Sequence, residues 1–210
     1  DFTPSKNTIL FGLSAVRNLG EGAITQLIKA REKDGPFHSL ADLCDRIPSN
    51  VLNRRGLESL IHCGALDPFD KNANRAQLIA DLELIIEWAS SRARDRISGQ
   101  GNLFDVMVKN SSEGDGQNDT SSAPKSSAVD DYSPTQKLRL EKELLGFYLS
   151  DHPLKQLSKP AKLIAPIGLA NLDEQKDKSK VSVIAMINNI RAVTTRKGDR
   201  MAILQIEDLT

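Results

Sequence analysis

Between residues 105 and 131 the chain reads DVMVKNSSEGDGQNDTSSAPKSSAVDD, and this tract limits what the rest can fold into. It is rich in Ser, Asp, Asn and Gly and has almost no large apolar side chain. Such a segment cannot bury enough surface to offset its ordering entropy, so it is expected to be a disordered linker. The chain must then build its cores from the blocks on either side. With 210 residues, 39% of them hydrophobic, it has enough material to do so.

The first block, residues 1–75, has the punctuation of short helices. Ile9 and Phe11 form an extended lead-in, and Leu13–Arg17 a short helix. Asn18-Leu19-Gly20 makes a tight corner, and Glu21–Glu32 a second helix with Ile24, Leu27 and Ile28 on one face. Asp34-Gly35-Pro36 stops it. Ser39-Leu40-Ala41-Asp42 resembles a capping box and opens a helix with Leu40, Leu43 and Cys44. After Pro48-Ser49-Asn50, a helix from about Arg54 to Cys63 turns Leu57, Leu60 and Ile61 inward and stops at Gly64. Helix–turn–helix therefore occurs twice.

Residues 76–104 begin with one long helix, because Leu78, Leu82, Ile85 and Ala89 form a single stripe. Arg92, Arg94 and Arg96 suit its last turn electrostatically. Gln100-Gly101-Asn102-Leu103-Phe104 follows. An amide ahead of a Leu-Phe pair can be gripped by another protein, the pair filling an apolar pocket, or the pair can fold back on the core. Beyond the linker, Ser133-Pro134-Thr135-Gln136 is a helix start, placing a helix within 132–157. Residues 158–180 read as a connecting loop. Within 181–210, Val181–Val193 and Met201–Ile206 read as strands joined at Lys197-Gly198-Asp199, the first strands of an unfinished barrel. The expected class is α+β, mainly α.

Net charge is zero, with 28 Lys and Arg against 28 Asp and Glu, which excludes nucleic-acid binding by bulk charge alone. His38, His62 and His152 are scattered and no P-loop follows Gly20-Glu21-Gly22, so no catalytic, metal or cofactor site is expected. Cys44 and Cys63 read as reduced core thiols. With no signal peptide or membrane span, that places the chain in the cytoplasm. A start without Met and an end in mid-strand read as a fragment.

The corner at Asn18-Leu19-Gly20 suggests a function. A tight turn between helices leaves backbone N–H groups unpaired at the second helix's start. With the positive end of the helix dipole, those donors can hold a phosphate without side-chain charge. Gly20 and Gly22 permit close approach. The corner reads equally as an ordinary αα-hairpin.

Phe11–Ala23 (FGLSAVRNLGEGA), Pro36–Ile47 (PFHSLADLCDRI), Asn53–Leu66 (NRRGLESLIHCGAL), Gln100–Phe104 and Ser133–Leu154 (SPTQKLRLEKELLGFYLSDHPL) resemble, in order, the alpha subunits of bacterial DNA polymerase III. Val181–Thr210 resembles the beginning of that family's OB domain. The resemblance implies a tandem helix-hairpin-helix that binds the backbone of double-stranded DNA through Asn18, Leu19, Gly20, Glu21 and Gly22. The second hairpin, around Pro48–Asn53, lacks the Gly-x-Gly pattern and is either structural or reaches phosphate through Arg54 and Arg55. Asn18 stands where the pattern has its first glycine. The resemblance also implies a sliding-clamp contact through Gln100, Leu103 and Phe104. Other domains of the parent polymerase, which carry its active site, are further implied partners. In a complete OB fold, a turn holding Arg196, Lys197 and Arg200 could line a single-strand groove, but Val181–Thr210 contains no Phe, Tyr or Trp for bases to stack on, so strong single-strand binding is not expected. The alternative is an independent DNA repair or recombination adaptor built of the same modules.

Overall fold

A computed structural model describes residues 2–6, 8–98, 120, 122–157, 160 and 163–209. The chain divides into two compact units, Asp1–Phe147 and Tyr148–Thr210. The first is helical, and the second carries a β-hairpin.

The first unit opens with strands β1 (Thr3–Ser5) and β2 (Thr8–Leu10), paired antiparallel with Thr3 opposite Leu10. The expected helix at Leu13–Arg17 is a single 3-10 turn, Leu13–Ala15. It goes no further because the N–H of Arg17 donates to the carbonyl of Leu144, 3.1 Å away on another helix. Helix α1 (Glu21–Asp34) buries Ala23 and Leu27. Ile24 only flanks this face, and Ile28, expected inward, is exposed.

Helix α2 (Leu40–Arg46) is capped as its sequence predicts: the Asp42 N–H donates to Ser39 Oγ at 3.0 Å. Helix α3 (Arg54–His62) buries Leu57, Leu60 and Ile61. Helix α4 (Arg75–Ser98) runs 24 residues and buries the whole expected stripe of Leu78, Leu82, Ile85 and Ala89. Helix α5 (Pro134–Leu145) has the full capping box on Ser133 and Gln136. It ends at Gly146, whose φ of 89° is the left-handed conformation that closes many helices.

Ionic joints tie these helices together. Arg75 is buried and held by Asp67 (2.7 and 2.8 Å), by Glu141 of α5 (3.0 Å) and by the carbonyl of His62 (3.1 Å). Arg46 donates to the carbonyls of Gly35 (2.9 Å) and Pro36 (3.3 Å), and its guanidinium lies 4.2 Å from the centre of the Phe37 ring. It thereby fixes the bend between α1 and α2.

The tract expected to be a structureless linker, 105–131, is held over its last ten residues. Ser126 donates to Asp81 Oδ1 through its N–H (2.7 Å) and its hydroxyl (2.6 Å). The Val129 N–H donates to Gln77 Oε1 (2.9 Å), and Asn74 Nδ2 donates to the Val129 carbonyl (2.8 Å). Residues 122–131 thus form a polar strap antiparallel to the start of α4. The same side chains that cannot build a core can pair with polar groups on a helix.

In the second unit, β3 (Met186–Thr194) and β4 (Arg200–Glu207) pair antiparallel, Met186 opposite Glu207 and Thr194 opposite Arg200, with a bulge between Ile187 and Asn189. The strand expected from Val181 starts only at Met186, because β4 offers pairing no further than Glu207. Gly198, with φ of 91°, closes the turn where Lys197-Gly198-Asp199 predicts it.

Candidate nucleic-acid interface

The corner before α1 has an open helix end. Asn18 takes a left-handed φ of 66°, which Asn tolerates better than most residues. Its Nδ2 donates to Ser59 Oγ on α3 at 3.1 Å. Leu19 is buried and anchors the turn in the core. Gly20 caps α1 with an ordinary φ of −80° and no side-chain hydrogen bond. The first helical bond runs from the Ile24 N–H to the Gly20 carbonyl (3.2 Å), so the amides of Glu21, Gly22 and Ala23 precede it. A Cβ built at Gly20 or Gly22 would meet nothing within 4 Å. Space for a ligand therefore lies directly before donors that no described side chain caps. Glu21, exposed in the first turn, balances the dipole in the free chain and opposes any bound anion.

The second corner is closed. Asn53 Oδ1 accepts from the Gly56 N–H at 2.9 Å and so caps α3 from within the chain. Gly56 permits the two hairpins to touch, since a Cβ there would lie 2.9 Å from Leu52 Cδ1 and 3.6 Å from Leu19 Cδ1. Arg54, expected to reach a phosphate, is occupied: its Nε pairs with Glu58 at 2.8 Å and its Nη1 with Glu83 of α4. Those carboxylates, Glu58 first, raise its pKa further. Arg55 is exposed and pairs with no described carboxylate. It stands one turn before Ser59 on α3.

Sequence reasoning missed the joint at the far end of α4. Arg92 (3.4 Å) and Arg96 both pair with Asp45 of α2, and Arg92 lies 4.9 Å from the centre of the Trp88 ring. The four-residue spacing of the two arginines was the available signal. Beside this joint, burial first and then Asp45 push the Cys44 thiol up to about 12.

Arg196, Lys197 and Arg200 stand exposed around the β3–β4 turn. Gln100, Leu103 and Phe104 lie outside the described residues. Among the described residues no group of His, Cys, Asp and Glu could hold a metal, and no helix is long and apolar enough to cross a membrane.

Residues 1–78 match the family described as the helix-hairpin-helix motif. The chain is similar throughout to the DNA polymerase III subunit alpha of Thermus aquaticus, 36% identical over 215 residues, which is 100% of this chain and 16% of the relative. The Deinococcus radiodurans subunit is 35% identical over 96% of this chain and 15% of its own length. That of Buchnera aphidicola is 33% identical over 100% of this chain and 17% of its own. The chain spans about one sixth of the length of the curated relatives it matches. From end to end, then, the chain with these helical hairpins and this β-hairpin is similar to one segment of DNA polymerase III alpha subunits.

Proposed function

We propose that this chain is a non-catalytic holding segment of a replicative DNA-directed DNA polymerase. It grips duplex primer–template DNA by the backbone and docks on the sliding clamp. The carrying observation is the uncapped start of α1, with open space at both Gly20 and Gly22. Backbone donors there suit phosphate oxygens and read no sequence, which fits a chain of zero net charge. Gln100, Leu103 and Phe104 supply the clamp contact. Two weak grips on one chain hold far longer than either alone. The parent enzyme's chemistry belongs to parts of the relatives that this segment does not span.

The test is anisotropy of a labelled duplex with the 210-residue chain and its Gly20→Val and Gly22→Val variants. Gly20 has an ordinary φ and both sites are open, so the substitutions leave the fold intact and obstruct only what approaches from outside. Each should weaken binding about tenfold, the loss of one or two charge-assisted hydrogen bonds. Wild-type affinity in both folded variants would remove the cradle.

A further inference from the structure

Ser59 is a polar residue only 3% exposed, between Leu57 and Leu60 on the face of α3 that builds the core. A hydroxyl in such a place is costly unless it is hydrogen-bonded. Its Oγ accepts from Asn18 Nδ2, 41 residues earlier in the chain. Asn18 is the residue of the first corner held at a positive φ, 66°. A glycine would adopt that conformation at no steric cost, whereas an asparagine needs something to hold it.

We infer that Ser59 is a positioning residue for the phosphate cradle. By holding the Asn18 side chain it fixes the left-handed corner, and with it the direction in which the amides of Glu21 and Gly22 point. The inference rests on the duplex-binding reading above. The lock joins the open hairpin to the closed one, which Asn53 caps and Gly56 seats against Leu19. The second hairpin thus acts on DNA through the first.

A double-mutant cycle on the 210-residue chain tests this, with duplex affinity, helix content and the Asn18 HN–Hα coupling as readouts. Ser59→Ala should lower duplex affinity about fivefold, the worth of one net hydrogen bond, and move the Asn18 coupling while helix content holds. In an Asn18→Gly background, where the corner needs no side-chain lock, Ser59→Ala should change the affinity of that variant by less than about twofold. Unchanged affinity in the single Ser59→Ala variant would overturn the inference. So would an equal loss with and without Asn18→Gly, since Ser59 would then act through general packing. If Ser59→Ala unfolds the chain, the near-isosteric Ser59→Cys and the Asn18 coupling in the wild-type chain take over. A coupling that reports averaging over several φ values would overturn the lock directly. Duplex binding that ignores both Gly20→Val and Gly22→Val sinks the cradle itself, an outcome separable from any result at Ser59.

Discussion

Gly64 faces the guanidinium of Arg75 so closely that a Cβ on the glycine would lie 2.3 Å from Nη2 and 3.1 Å from Asp67 Oδ2. The glycine, at φ 83°, ends the α3 segment and leaves room for the arginine that joins α3, α4 and α5.

Gly64→Ala should therefore cost at least about 2 kcal/mol, from the left-handed backbone and the displaced arginine together. Gly146→Ala is the control. It has a similar φ of 89° but nothing within 4 Å, and should cost only about 1 kcal/mol. Urea midpoints of the two variants measure the difference, and equal losses would mean that Arg75 gives way freely.

Acid should loosen the same region. Burial pushes the His62 pKa below its ordinary 6.5, Glu58 and Glu143 pull it back, and Arg75 pushes it down further. Its Nδ1 is buried without a hydrogen-bond partner among the described residues. The unfolded chain then takes up the proton first, so stability is full above about pH 6.5 and falls as pH drops through the lower folded value. His62→Gln should flatten that acid limb in thermal melts recorded from pH 7.5 to 5. A parallel decline in both proteins would assign the effect to other groups.

The DNA contact should have a shallow salt dependence. The proposed cradle offers amides, Arg54 is occupied by Glu58 and Glu83, and Arg55 beside it on α3 is exposed. Log affinity against log salt should slope near −2, the release expected for two or three phosphates. A slope several times steeper would point to a basic surface elsewhere. Arg55→Ala should reduce the slope by about 1.

The proposed clamp contact should be separable from the proposed DNA grip. Leu103→Ala with Phe104→Ala should abolish binding to the sliding clamp, since each anchor is worth roughly 2 kcal/mol or more in such interfaces. Duplex affinity and helix content should stay as in the parent chain. Surface plasmon resonance on immobilised clamp, with circular dichroism alongside, gives both answers, and loss of helix content would make the pair core residues.

Local signals carried most of the helical fold. Ser39, Ser133 and Pro134 marked helix starts because capping is settled within four residues. The stripe from Leu78 to Ala89 placed α4, and Lys197-Gly198-Asp199 placed the β-turn. At the candidate site the sequence located the corner but not its state. The capping of α3 by Asn53 could be read locally. The capture of Arg54 by Glu83, 29 residues away, and of Asp45 by Arg92 and Arg96 could not. The strap at 122–131 was hidden for a different reason. Its Ser and Asp residues signal disorder when counted alone, and acquire partners only when Asp81 and Gln77 of a folded helix are present.

That strap gives the chain a preferred direction of mechanical strength. It runs antiparallel to α4, from Ser126 beside Asp81 to Val129 beside Gln77 and Asn74. A pull on its leading end along the helix axis loads these bonds together, in shear. A pull away from the helix opens them one at a time, like a peeled tape, beginning at Ser126. Whatever load reaches the strap from residues 99–119 is resisted according to its angle as much as its size.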